Sequence, residues 1–284
     1  MLMLNPFIGG DVVDRVQDKF ITLNGLRFHY RDWGTSDAPV LIALHGVTST
    51  AYAWDTTARA LCDRYRILAL DQRGHGETEW AKEYSVASAL ADVETFVREL
   101  GLKKFVLVGH SMGGRIAYYY APRHLDQIEH LVIVDIGPEI APAFVKRLQT
   151  AMQANDIFNN PEEAFQILRA GNPRPSDDAM RQLTHHNLMQ LADGKWTWRY
   201  DRGLRNGERP LERLDGESQW SILSQITSPT LLVRGAETDL LERSTAERMA
   251  RTIPNCKLVE IPNAGHSVPL DNPEGFIAAL QEFL

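Results

Sequence analysis

Val106-Leu107-Val108-Gly109-His110-Ser111-Met112-Gly113-Gly114-Arg115 joins an apolar, β-branched run to a serine flanked by glycines, and the residues that follow favour helix. The G-x-S-x-G spacing has a steric cause. A serine held on a strained strand-to-helix turn needs neighbours without side chains, and Gly109 and Gly113 meet that need. The stretch reads as a nucleophile elbow, with a strand from Lys104 to Val108 and a helix from Met112 that ends near Pro122. A lone G-x-S-x-G also arises by chance in loops, so the reading depends on partners elsewhere in the chain.

Candidates sit on loops after apolar runs. His45-Gly46-Val47-Thr48 follows Val40–Leu44, and Asp71-Gln72-Arg73-Gly74-His75-Gly76 follows Arg66–Leu70. Asp135 ends the run Leu131–Asp135, Asp239 follows Thr230–Arg234, and His266 follows the run from Lys257 to Ile261. Loops at the carboxyl ends of strands bring side chains from distant segments together.

With His45–Thr48, Asp71–Gly76, the elbow at Ser111, the acid loop at Asp239 and the histidine loop at His266 in order along nearly its whole length, the chain resembles the α/β-hydrolase family. The resemblance is to small, lid-bearing serine carboxylesterases and lactonases and to the related carbon-carbon bond hydrolases. It implies the chain order Ser, then Asp or Glu, then His. Both Asp135 and Asp239 satisfy that order, and Glu237 is a second decoy. The strand and loop around Asp239 look like the family's usual acid position, so the expected triad is Ser111, Asp239 and His266. Charge developing on a carbonyl oxygen calls for preorganised N–H donors. The resemblance implies the backbones of Met112 and Val47, although the chain lacks both the H-G-G-G and the H-G-x-P forms seen in relatives. The Asp71–Gly76 phrase is then a structural turn shaped by Gly74 and Gly76. Asp271 and Glu274 are expected to cap the last helix.

The resemblance also implies the architecture: an α/β-hydrolase fold with a mainly parallel eight-stranded sheet, helices on both faces and a helical lid after the sixth strand. The expected core is 1–136 with 224–284, and the expected lid is 137–223. The residues agree with this plan. Strands alternate with amphipathic helices, and Asn24-Gly25 between Phe20–Leu23 and Leu26–Tyr30 signals an opening hairpin. After Asp135 the pattern changes to helical stretches at 142–154, 161–170 and 177–191, broken by Pro, Gly and Asn. Trp196–Tyr200 reads as a short strand or a strap. Met152, Phe158, Trp196, Trp198 and Tyr200 are the apolar candidates for lining the substrate pocket, with the lid's own core as the competing role.

Composition bounds the function. The 284 residues are 44% hydrophobic and 24% charged, with a net charge of -7 and a pI near 5.7, a balance that disfavours a nucleic-acid partner. The two cysteines, Cys62 and Cys256, form no metal knuckle or C-x-x-C pair and read as thiols in a reducing compartment. The short apolar start is interrupted by Pro6, Gly9 and Gly10, so it reads as a surface arm rather than a leader or membrane segment. A cytoplasmic monomer or homodimer is expected. His185-His186 lacks other ligands at metal spacing and His110 reads as held by the elbow, so neither a metal nor an organic cofactor is expected. Ser111 in place of a carboxylate nucleophile removes dehalogenase and epoxide-hydrolase chemistry. The leading expectation is hydrolysis of small to medium apolar esters or lactones. Carbon-carbon bond hydrolysis, acyl transfer and a low-turnover receptor are the alternatives.

Overall fold

Inner sheet strands of this chain, such as Val40–Leu44 and Phe105–His110, are apolar on both faces, the pattern of a sheet covered on each side by helices. The computed structural model describes residues 15–153, 156–209 and 216–284; the expected N-terminal arm lies outside them. The chain opens with β1 (Val16–Leu23) and β2 (Leu26–Trp33), then β3 (Val40–Leu44), α1 (Asp55–Leu61), β4 (Arg66–Leu70), α2 (Val86–Glu99), β5 (Phe105–His110), α3 (Met112–Tyr120) and β6 (Ile128–Val134). An insertion follows: α4 (Pro142–Gln153), β7 (Ile157–Phe158), α5 (Pro161–Gly171), α6 (Asp177–His186), β8 (Leu188–Gln190), β9 (Trp196–Trp198), α7 (Arg202–Asn206) and α8 (Gly216–Leu223). The main sheet resumes with β10 (Thr230–Gly235), α9 (Arg243–Thr252) and β11 (Cys256–Ile261), and the chain closes with α10 (Val268–Asp271) and α11 (Pro273–Phe283).

The eight-stranded sheet has the order β1-β2-β4-β3-β5-β6-β10-β11. Its first three strands pair antiparallel and the rest are parallel. Asn24 and Gly25, with φ of 49° and 82°, both adopt the left-handed conformation of a tight hairpin turn and pair Leu23 with Leu26. Alternate residues of each strand enter different cores. Ile42, Leu44 and Leu107 pack with α2 and α3 through Phe96 and Ile116. Leu41, Ala43, Val106 and Val108 pack with α1 and α11 through Ala58, Phe276 and Leu280.

The insertion carries more strand than its sequence suggests. Trp196–Trp198 is the central strand of a small antiparallel sheet of order β7-β9-β8. The helix expected to run to Leu191 stops at His186, because Leu188 and Gln190 pair with Trp198 and Trp196. Cross-strand partners outweigh the helix propensity of Leu-Met-Gln. Helices α5 and α6 start on Asn160 and Ser176, whose side chains accept from the N–H groups of Glu163 and Ala179.

Candidate active site

Ser111 lies between β5 and α3 with φ 53° and ψ −116°, a conformation costly for a residue with a Cβ. The surrounding contacts hold it there. The Ser111 N–H donates to Val134 O (2.9 Å) and the Gly113 N–H to His45 O (3.1 Å). A Cβ on Gly109 would lie 2.3 Å from Gly113 O, and one on Gly113 would lie 2.3 Å from Leu44 O. Both glycines of the motif are therefore required by close backbone approach, as the spacing predicts.

The Ser111 Oγ is 3.0 Å from His266 Nε2, and His266 Nδ1 is 2.9 Å from Asp135 Oδ2. The acid in this line is Asp135, not the expected Asp239. Asp135 is buried at the end of β6 with φ 50°. Its carboxylate also accepts from the Gly235 N–H (3.1 Å) and the Thr238 hydroxyl (2.6 Å). The loop after β10 thus reaches the site through Thr238, while the next residue, Asp239, points outward. Asp239 is half exposed and forms a two-pronged pair with Arg147 of α4 at 3.0 and 2.9 Å. Glu237 is similarly taken by Arg174.

Two contacts that the sequence does not announce steady His266. The His110 Nε2–H donates to the His266 carbonyl at 2.8 Å. Burial, and then the neighbouring His266, push the His110 pKa down to about 3, so the ring stays neutral. Phe144 of α4 meets the His266 ring edge-on at 4.9 Å. Asp271 accepts from the Gly265 N–H (2.8 Å) and from Asn172 of the insertion (2.6 Å). It braces the histidine loop, and the expected cap of α11 is instead Asn272, which accepts from the Gly275 N–H.

Ser111, Met112 and Val47 line one cavity of about 110 Å³. Its apolar wall comes from Ile136, Ile140, Phe144 and Leu148 together with Val86 and Ala89 of α2. The aromatic candidates are elsewhere. Phe158 and Trp198 meet edge-on at 5.0 Å in a buried cluster that joins the insertion to Ala81 and Tyr84 of the segment before α2, and Trp196 packs against that cluster. Tyr200 joins it and stacks on His75. Met152 lies in α4, with its side chain outside the described residues. Ile140, Phe144 and Leu148, spaced four apart across the start of α4, are the signal that sequence reading passed over.

The Asp71–Gly76 phrase is a turn, as expected. Buried Asp71 accepts from the N–H groups of Ala51 (2.6 Å) and Glu77 (2.9 Å) and from His29 Nδ1 (2.7 Å). Gly74 and Gly76 have φ of 75° and 58°, and a Cβ on Gly76 would strike the Asp71 carboxylate at 2.0 Å. His75 donates from Nδ1 to Arg73 O, and His186 lies flat on Tyr52 at 3.6 Å. Among the described residues no group of three or more His, Cys, Asp or Glu is placed to hold a metal ion.

A serine on a strained strand-to-helix turn, beneath an insertion and at the carboxyl end of a mostly parallel eight-stranded sheet, defines the class of α/β-hydrolase-fold proteins. The family model for the alpha/beta hydrolase fold matches residues 39–273, and the chain belongs to that family. It is 33% identical over 271 residues to a 3-hydroxybutyrate-oligomer hydrolase of Cupriavidus necator, covering 90% of this chain and 92% of the relative. It is 29% identical over 261 residues to the sn-1-specific diacylglycerol lipase ABHD11 of Mus musculus, covering 88% and 82%. The solved structure of E-2-(acetamidomethylene)succinate hydrolase shares the fold with a TM-score of 0.84 at 24% identity, covering 94% of this chain and 98% of that one.

Proposed function

We propose that the protein is a serine hydrolase of carboxylic esters or lactones that works through an acyl-enzyme on Ser111. The observation that carries this reading is the hydrogen-bonded line from Ser111 Oγ through His266 to the buried carboxylate of Asp135. His266 takes the Ser111 proton as Oγ bonds to the substrate carbonyl carbon. Asp135 holds the imidazole with Nδ1 protonated and stabilises its cation. The N–H groups of Met112 and Val47 receive the charge that develops on the carbonyl oxygen. The tetrahedral adduct collapses, the alcohol leaves with the proton from His266, and a water activated by the same imidazole hydrolyses the acyl-enzyme.

Residues 137–223 act as a lid over this site. Phe144 against the imidazole and the bonds from Arg147, Asn172 and Arg174 to the loops after β10 and β11 support that role. The relative named as a diacylglycerol lipase favours the same chemistry. Among the described residues no helix is long and apolar enough to cross a membrane. Turnover of short-chain p-nitrophenyl esters tests the reading, with intact mass reporting the acyl-enzyme. Ser111→Ala should abolish both turnover and acylation. Hydrolysis by that variant at the native rate would overturn the mechanism.

A further inference from the structure

Most polar side chains that line the Ser111 cavity are already engaged within the protein. Arg73 is neutralised by Asp92, at 2.6 and 2.9 Å, and by Glu83. The Tyr84 hydroxyl is bonded to Asp201, and the Ser85 hydroxyl to Ser88. Arg115 differs. It lines the same cavity, its Nε is buried without a hydrogen-bond partner, and among the described residues it forms no ion pair with a carboxylate. Its guanidinium does bond to the neighbouring Tyr118 phenol, but burial keeps that phenol neutral and it supplies no countercharge. Two acceptors in the cavity wall, Gln72 Oε1 and His75 Nε2, are likewise buried without partners, but neither carries charge.

Arg115 also stands at a fixed distance from the nucleophile. Its N–H donates to Ser111 O at 3.0 Å, so it lies one helical turn along α3, a rise of about 6 Å. A guanidinium is always charged and is costly to desolvate without an acceptor, and a carboxylate meets its fork with two parallel hydrogen bonds. A wall that is mostly apolar strengthens that attraction.

We propose that Arg115 is a carboxylate-binding subsite of the Ser111 cavity, so that the preferred substrate is an ester with a free carboxylate a few bonds from the scissile carbonyl. This rests on the ester-hydrolase reading above. The carboxylate belongs either to the acyl part or to the alcohol part of the ester, and two pairs of substrates separate these arms. The first compares mono-p-nitrophenyl glutarate with p-nitrophenyl pentanoate. The second compares 3-butyryloxybutyrate with its methyl ester, followed by proton release.

In one of the two pairs the native protein should favour the anionic member in kcat/KM by about 10- to 100-fold, the range of a charge-assisted hydrogen bond. Arg115→Met should erase that ratio, and Arg115→Lys should retain part of it. Because the readout is a ratio, a general loss of folded protein cancels. Glutarate should also inhibit turnover of the neutral ester by the native protein more strongly than glutaramide does, a measurement that needs no variant. Indifference to charge in both pairs, or a preference that survives Arg115→Met, would overturn the subsite. Failure of the ester reading itself would look different, since both members of each pair would then be untouched or Ser111→Ala would still hydrolyse them.

Discussion

Asp135 and Asp239 both follow Ser111 in the chain and both follow sheet strands, yet only one reaches the imidazole. Asp135 ends β6 in a left-handed conformation that turns its carboxylate toward His266 and under the Gly235 N–H. Thr238 fills the inward position on the next loop and leaves Asp239 to the surface and Arg147. Asp135→Asn should therefore lower kcat/KM by roughly 10²- to 10⁴-fold, because an amide favours the wrong histidine tautomer. Asp239→Asn should stay within about 3-fold, since an exposed ion pair contributes little. Parallel ester assays of the two variants decide between the carboxylates. Gly113→Ala belongs to the same scale. Its Cβ would lie 2.3 Å from a backbone oxygen that cannot move away, so a loss of at least about 3 kcal/mol is expected, read as a lowered unfolding midpoint.

At the scale of elements, the insertion has two separate apolar surfaces. One side of α4 presents Phe144 and Leu148 to the Ser111 cavity. The aromatic residues of β7 and β9 form a second buried cluster with Ala164, Leu188 and Leu204 of the insertion and with Ala81 and Tyr84 of the segment before α2. Phe158 is fully buried there. Phe158→Ala should cost about 3–5 kcal/mol in urea unfolding while KM for short esters changes by less than about 3-fold. A large KM effect at unchanged stability would return Phe158 to the pocket. The residues just after β9 also tie the insertion to the main sheet's loops, since Tyr200 bridges to His75 and the Asp201 N–H donates to Gly74 O at 2.7 Å. The turn after β4 thus supports both the His45 loop, through Gln72, and the base of the insertion.

Across the whole molecule, a buried charged network joins the antiparallel edge of the sheet to the site's supporting turn. Both nitrogens of buried His29 face carboxylates, Asp71 at 2.7 Å and Asp18 at 3.0 Å, so the protonated ring can donate to both. Burial alone would lower the His29 pKa, but the bonds to Asp71 and Asp18 outweigh it and raise the value. A histidine whose pKa rises on folding contributes stability that is complete below its unfolded pKa of about 6.5 and is lost as pH climbs through the raised folded value. Thermal unfolding between about pH 6 and 9 should show native stability falling more steeply than that of His29→Gln. Equal slopes would remove His29 from the pH dependence.

The fold was legible in local features of the sequence. Continuous apolar runs mark doubly covered strands, Asn24-Gly25 marks the hairpin, and the glycines around Ser111 mark a turn that no side chain can enter. Ser111 and His266 were legible for the same reason, as each sits in a short motif whose backbone shape is set by neighbouring residues. Tertiary structure alone decided which carboxylate completes the line, because side-chain direction at a strand's end depends on what packs beside it, here β10 and Thr238. It also decided which insertion residues face the cavity, since a two-residue strand such as β7 has no periodicity of its own to read. The unmatched charge of Arg115 became visible in the same way: a sequence states that an arginine is present, but only the packed structure shows that no carboxylate among the described residues has come to meet it.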